Sequence, residues 1–280
     1  MRLTLPLLAL AAAAAAPAAR AGETACWFDN GVVVVPAEVL GIAGDYVLDT
    51  ATPTTLLADT QAGGAGFAAT ALTGRVRLAG LTLKDRPIAV AALDLRTGAL
   101  PTPIAGVIGA DLLKGFVLDV SFAPCRVALW RAGEARPFPS RAVLPLRWIA
   151  DVPTAEAAVS DGMRAWRGAF ALATGGDTAV RLSDAVAEAP GAAKPKELYP
   201  YGVLRPKLRA LSFAGDLYET LPSGLIKSAD PALAGQIGAP LLARYRLRFD
   251  FPRGRLLIEA PRPSARRRAR SAGSSHRADR

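Results

Sequence analysis

The chain has 280 residues, 51% of them hydrophobic, and 34 Lys and Arg against 24 Asp and Glu give a net charge of +10. Its single histidine is His276, within twenty residues of the end. A Ser-His-Asp or Cys-His unit needs an imidazole held rigidly against the nucleophile, and His-based zinc sites need two, so those chemistries are excluded and carboxylates are left as the agents of any hydrolysis.

Residues 1–21 read as a leader: Arg2 supplies a positive start, residues 3–16 are almost unbroken apolar, and Ala19-Arg20-Ala21 offers small residues for cleavage. The run is short for a bilayer span and is followed by Pro17 and Arg20, so the chain is expected to be exported, periplasmic or secreted, rather than anchored. Glu23, Thr24 and Ala25 before Cys26 do not make a lipoprotein signal. Cys26 and Cys125 are the only cysteines, and in an oxidising compartment an even pair reads as a disulfide rather than two free thiols.

Beyond the leader, residues 31–41 are β-branched and lead through a turn at 41–44 into the strand Tyr46-Val47-Leu48, which breaks at Asp49-Thr50-Ala51-Thr52 and resumes after Pro53. Residues 61–70, with Gly63, Gly64 and Gly66, read as a loop. Strand patterns recur at 75–78, 81–83 and 88–95, and Val107-Ile108-Gly109 runs into a short helix that Asp111 is expected to cap. Asp119 and Asp250 lie at predicted strand ends and read as surface residues. Pro137 and Pro139 mark a linker at 134–142.

The segment after the linker repeats the one before it. Residues 105–131 match 234–260 without gaps at an offset of 129, keeping Gly106 with Gly235, Gly109 with Gly238 and Leu112-Leu113 with Leu241-Leu242. Leu78-Ala79-Gly80 corresponds to Phe213-Ala214-Gly215, and an Asp161-Gly162 turn repeats the opening hairpin. The chain is an internal duplication: leader 1–21, first lobe 22–133, linker 134–142, second lobe 143–260 and an Arg-rich tail 261–280. Seven arginines against Asp279 place +6 of the charge in the tail and the leader carries +2, leaving the body near +2. No nucleic-acid partner is therefore expected; the tail reads as disordered and solvated, or as a contact for an anionic envelope surface.

The Asp49-Thr50-Ala51-Thr52 turn, with Val107-Ile108-Gly109 after it, resembles the signatures of the retropepsin-like and pepsin-like aspartic peptidases. The second lobe repeats them as Ala173-Thr174-Gly175-Gly176 and Gln236-Ile237-Gly238. The resemblance spans residues 30–260 and implies an all-β fold of two similar β-barrel-like lobes with short helices. It further implies a cleft facing Asp49, with Ile108, Gly109, Ile237 and Gly238 in its floor, Thr50 and Thr174 cross-linking the turns, and residues 63–66 in the covering flap. The implied activity is hydrolysis of peptide bonds by activated water, with no metal or organic cofactor, in a monomer.

Such enzymes need two carboxylates sharing a proton, and here Ala173 stands where the second is required. Ala51 also replaces the family's glycine, while the second lobe keeps it as Gly175. Three readings compete: two chains bring Asp49 to Asp49; another acid substitutes, with Asp177 and Asp184 the candidates; or the cleft binds a peptide or exported protein without cutting it. A more distant class is an unrelated β-rich envelope-binding module. Trp148, Trp166, Tyr199 and Tyr201 could line a cleft, with aromatic packing the simpler expectation.

Overall fold

Short apolar strands, several of them joined by two-residue turns, build each half. The computed structural model describes residues 22–97, 100–160, 162, 165–188, 207–228 and 230–259. The leader, Asp161, Tyr199, Tyr201, His276 and the Arg-rich tail lie outside them. In the first lobe, Val32–Val39, Ile42–Leu48, Ile104–Ile108, Leu56–Ala58, Leu81–Ala91 and Ala71–Leu78 pair in that order, and the last strand returns to the first. The second lobe closes the same ring from Val152–Ser160, Ala165–Ala173, Leu233–Gly238, Val180–Ser183, Asp216–Ile226 and Lys207–Phe213. Closure leaves no open sheet edge within either ring.

The turns obey the duplication. Ala79-Gly80 and Ala214-Gly215 have φ of 49° and 77°, and 55° and 83°, the left-handed pair that lets a two-residue hairpin match the strand twist. Leu40-Gly41 does the same at 55° and 86°, so the first hairpin is tighter than the expected 41–44 turn and its second strand begins at Ile42. The glycine-rich stretch is only in part the expected loop: residues 65–70 are turn and irregular chain, while 61–64 are helical. Asp59–Gly64 is a helix, because Ala62 is buried in the core and holds Phe67 through its carbonyl at 2.9 Å. No helix among the described residues is long and apolar enough to cross a membrane.

A third sheet joins the lobes, in the order Glu23–Ala25, Cys125–Arg131, Phe116–Phe122, Arg246–Asp250, Arg255–Glu259 and Ala142–Pro145. Its two central strands are antiparallel duplicates of one another, and Asp119 is paired with Arg248, its own counterpart 129 residues on. Arg248 donates from Nε and Nη2 to the two carboxylate oxygens of Asp119 at 2.6 and 2.7 Å, and from Nη1 to the Arg136 carbonyl at 2.6 Å. Trp130 Nε1 adds a bond to Asp119 at 3.3 Å. Asp250 accepts from Arg255 at 3.0 Å and from the Arg253 amide at 3.3 Å. Both acids are thus buried, not on the surface as the sequence suggested, because each is neutralised by arginine.

One apolar cluster runs through both lobes and the inner face of this sheet, from Val33 and Tyr46 through Leu118 and Phe249 to Leu182 and Ile237. Tyr46 is fully buried; its hydroxyl donates to the Ile42 carbonyl at 2.8 Å, and burial pushes the phenol up to about 12. Trp148 packs on Phe251 with ring centroids 5.4 Å apart and carries the Lys114 ammonium on its face, a structural role. In the second lobe, Asp216 accepts from Tyr245 at 2.8 Å and Tyr218 at 3.2 Å and pairs with Arg141. The Tyr245 bond first, then Arg141, hold Asp216 below the usual carboxylate range and fasten the linker to the second lobe.

Cys26 and Cys125 form a disulfide across 99 residues, tying the start of the first lobe to its end. Closing so long a loop restricts the unfolded chain, and its loss typically costs about 2–5 kcal/mol. A Cys26→Ala/Cys125→Ala variant is therefore expected to unfold at a distinctly lower urea midpoint, while dithiothreitol should lower the wild-type midpoint and leave the variant's unchanged.

Candidate functional site

The strand Ile42–Leu48, buried over its last three residues, runs parallel to Ile104–Ile108, with Leu48 beside Ile108. The chain turns where the Asp49 amide donates to the Ile108 carbonyl at 3.0 Å and the Thr52 amide to the Asp49 carbonyl at 3.2 Å. Helix Ala110–Leu113 then closes beneath, as Ala110 and Asp111 amides bond to the Thr52 and Pro53 carbonyls at 2.8 and 3.1 Å. Asp111 lies inside the helix rather than at its N-cap, Gly109, although it serves a first-turn amide by accepting from Leu112 N–H at 2.8 Å. Its Oδ1 accepts from the Thr55 hydroxyl at 2.8 Å, and that hydroxyl oxygen accepts from the Gly109 amide at 3.1 Å, so Asp111 and Thr55 brace the floor. Gly109 is required there: a Cβ would lie 2.6 Å from the Thr54 carbonyl carbon.

The second lobe repeats this geometry. Leu172 and Ala173 pair with Ile237 and Gly238, the Gly176 amide donates to the Ala173 carbonyl at 3.3 Å, and Ala239 donates to the Gly176 carbonyl at 2.9 Å. A Cβ on Gly238 would lie 2.7 Å from the Gly176 carbonyl oxygen.

The two turns grip each other reciprocally. Thr174 Oγ1 donates to the Leu48 carbonyl at 2.6 Å and accepts from the Thr50 amide at 3.2 Å. Thr50 Oγ1 donates to the Leu172 carbonyl and accepts from the Thr174 amide at 3.3 Å. Each hydroxyl proton is thereby committed to a carbonyl, and the 3.5 Å between the hydroxyls is contact rather than a bond. Both threonines are fully buried. The turn that meets Asp49 belongs to the same chain, so a second copy is not needed to complete the pair.

Asp49 is 3% exposed. Its Oδ1 accepts from the amides of Ala51 at 2.9 Å and Gly175 at 3.2 Å, and its Oδ2 from the Thr52 hydroxyl at 2.7 Å. Gly175 can donate across the lobes only because it lacks a side chain: a Cβ there would lie 2.6 Å from Asp49 Cβ and 2.8 Å from Val47. Ala51 meets no such wall; its methyl packs against the apolar group of Val152, Ala171 and Leu233 in the second lobe. The unequal placing of glycine is therefore set by the carboxylate: the turn facing Asp49 must be bare, while the turn bearing it faces small and branched apolar side chains.

Asp177 is partly exposed and paired with Arg181 at 2.6 Å, and it accepts from the Thr178 hydroxyl at 3.0 Å. Asp184 begins the helix Asp184–Glu188 and accepts from the Ser228 amide at 3.3 Å. Sequence reading passed over Gln236. It is 8% exposed, its Oε1 has no hydrogen-bond partner among the described residues, and its first-lobe counterpart is the fully buried Val107. A polar residue where the repeat has valine is the signal that could have found it. Among the described residues no three His, Cys, Asp or Glu side chains gather to hold a metal.

Two closed β lobes, a joining six-stranded sheet and two cross-linked turns backed by apolar-Gly strands define the aspartic-peptidase fold. Solved structures agree. An aspartic proteinase from Irpex lacteus is similar with a TM-score of 0.52 and 13% identity, over 85% of this chain and 97% of that one. Basic 7S globulin from soybean is similar with a TM-score of 0.51 and 14% identity, over 85% of this chain and 94% of that one. No family model and no curated protein matches the sequence.

Proposed function

We propose that this is an exported peptide-binding protein that holds an extended peptide or protein segment between its lobes without cutting it by the two-carboxylate route. The observation carrying the reading is that Ala173 occupies the register position that Asp49 occupies in the first lobe. Peptide hydrolysis at such a site needs one group to take a proton from water and another to give one to the carbonyl oxygen. Asp49 can serve as the base, and it can equally accept a hydrogen bond from a ligand. With no acid in the paired turn, recognition survives and general-acid assistance, typically worth about 10²–10⁴ in rate, does not.

Export is supported by the leader pattern and agrees with the disulfide. The Arg-rich tail suits an anionic envelope surface. The test is incubation of the mature chain with a mixed decapeptide pool from pH 3 to 8, scoring both cleavage and retention. Retention without cleavage by wild type, with weaker retention by Asp49→Asn, is expected. Cleavage by wild type that Asp49→Asn abolishes would overturn the reading in favour of a peptidase. If the lobes face each other as proposed, Ala173→Asp should gain slow cleavage with an acidic optimum.

A further inference from the structure

Besides the exchange of Ala51 for Gly175, three positions in the turns and the strands behind them differ between the lobes. The first lobe has Asp49, Thr52 and Val107; the second has Ala173, Gly176 and Gln236 at the corresponding places. In the first lobe the Thr52 hydroxyl supports the carboxylate and Val107 belongs to an apolar layer with Val32, Val34 and Val47. In the second, carboxylate and hydroxyl are both absent, and an amide reaches into the space they leave. A Cβ built on Gly176 would lie 3.0 Å from Ala173 Cβ and 3.2 Å from Gln236 Nε2. The amide thus stands about where a hydroxyl at 176 would point, beside the vacated acid position.

We infer that Gln236 is the second lobe's polar contact for the ligand, hydrogen-bonding a peptide group of an extended chain where the second carboxylate is missing; this rests on the peptide-binding reading above. The strand holds Gln236 between Ala171 and Arg181, so its backbone is fixed by pairing on both sides. Its carbonyl oxygen is buried without a partner among the described residues, the costly state for a polar group, at a position where the duplicate shows valine to fit. A primary amide carries one acceptor and two donors, which matches the N–H and C=O of a peptide group. The broad final torsion lets it present either edge. Asp49, an acceptor, and Gln236, a donor and acceptor, then flank the ligand from opposite lobes.

The probe is the best-retained member of the mixed decapeptide pool, labelled with fluorescein and titrated with the full exported chain. Gln236→Val, the first lobe's own residue, is expected to raise Kd about tenfold, the size of one neutral hydrogen bond, while Tm stays equal or rises. Gln236→Met, unbranched and of similar volume, should behave likewise and serves if the valine variant misfolds. Unchanged Kd in both variants would overturn the role of Gln236 and leave the cleft reading standing. A lower Tm at unchanged Kd would make it a purely structural amide. Failure of the wild type to retain any peptide would overturn both.

Discussion

Replacing Asp119 by alanine is expected to destabilise the protein by about 3–5 kcal/mol, the cost of leaving a buried charge without its partner. The Arg248 guanidinium is enclosed, with its side chain 7% exposed, and three of its nitrogens are aimed at Asp119 and the Arg136 carbonyl. Because these strands are the direct pairing between the lobes, the loss is expected in the joint unfolding of both and not in one alone. Urea titration of Asp119→Ala monitored by tryptophan fluorescence checks this. The double variant Asp119→Leu/Arg248→Met removes both charges and should recover most of the loss. Equal instability in single and double variants would show that the strands, rather than the uncompensated charge, carry the effect.

Thr50→Val and Thr174→Val are each expected to cost about 2–6 kcal/mol, since each strands one buried carbonyl and one buried amide at about 1–3 kcal/mol apiece. Valine keeps the shape, so cavity formation contributes little. The hydroxyls serve different backbone groups but the same turn-to-turn contact. Once one bond pair is gone the turns relax apart, so the double variant should cost less than the sum of the two. Peptide retention should fall in parallel, because the cross-link sets the distance between Asp49 and the second lobe. Thermal unfolding and the retention assay report the two effects separately.

Much of this was legible because duplication writes the fold twice. The 129-residue register and the paired Ala-Gly turns predicted an internal duplication, and the resemblance to the aspartic peptidases implied two similar lobes with Thr50 and Thr174 over a common floor. The sequence was silent where meaning comes from neighbours distant in the chain. Asp119 looked like a surface acid because its neutralising partner lies 129 residues away. Residues 61–70 read as loop throughout because Gly63 and Gly64 mask the end of a short helix, Asp59–Gly64, whose Ala62 alone reaches the core. The exchange of Ala51 for the glycine kept at Gly175 was visible in the sequence, but its reason lies in the facing surfaces: one apolar, the other a carboxylate against the backbone.

The strand pairing at the centre of the joining sheet also limits what the halves can associate with. Leu118 meets Phe249 and Val120 meets Leu247 about Asp119 and Arg248, so a local two-fold axis passes through that ion pair. On such an axis a residue faces its own equivalent. Two first halves brought together in the same way would set aspartate against aspartate, and two second halves arginine against arginine. Opposite charges at this one spot therefore act as a mating code: each half accepts the other and repels its own kind. Pairing of like halves through these strands would therefore bury two equal charges against each other, a cost that the Asp119–Arg248 pair avoids.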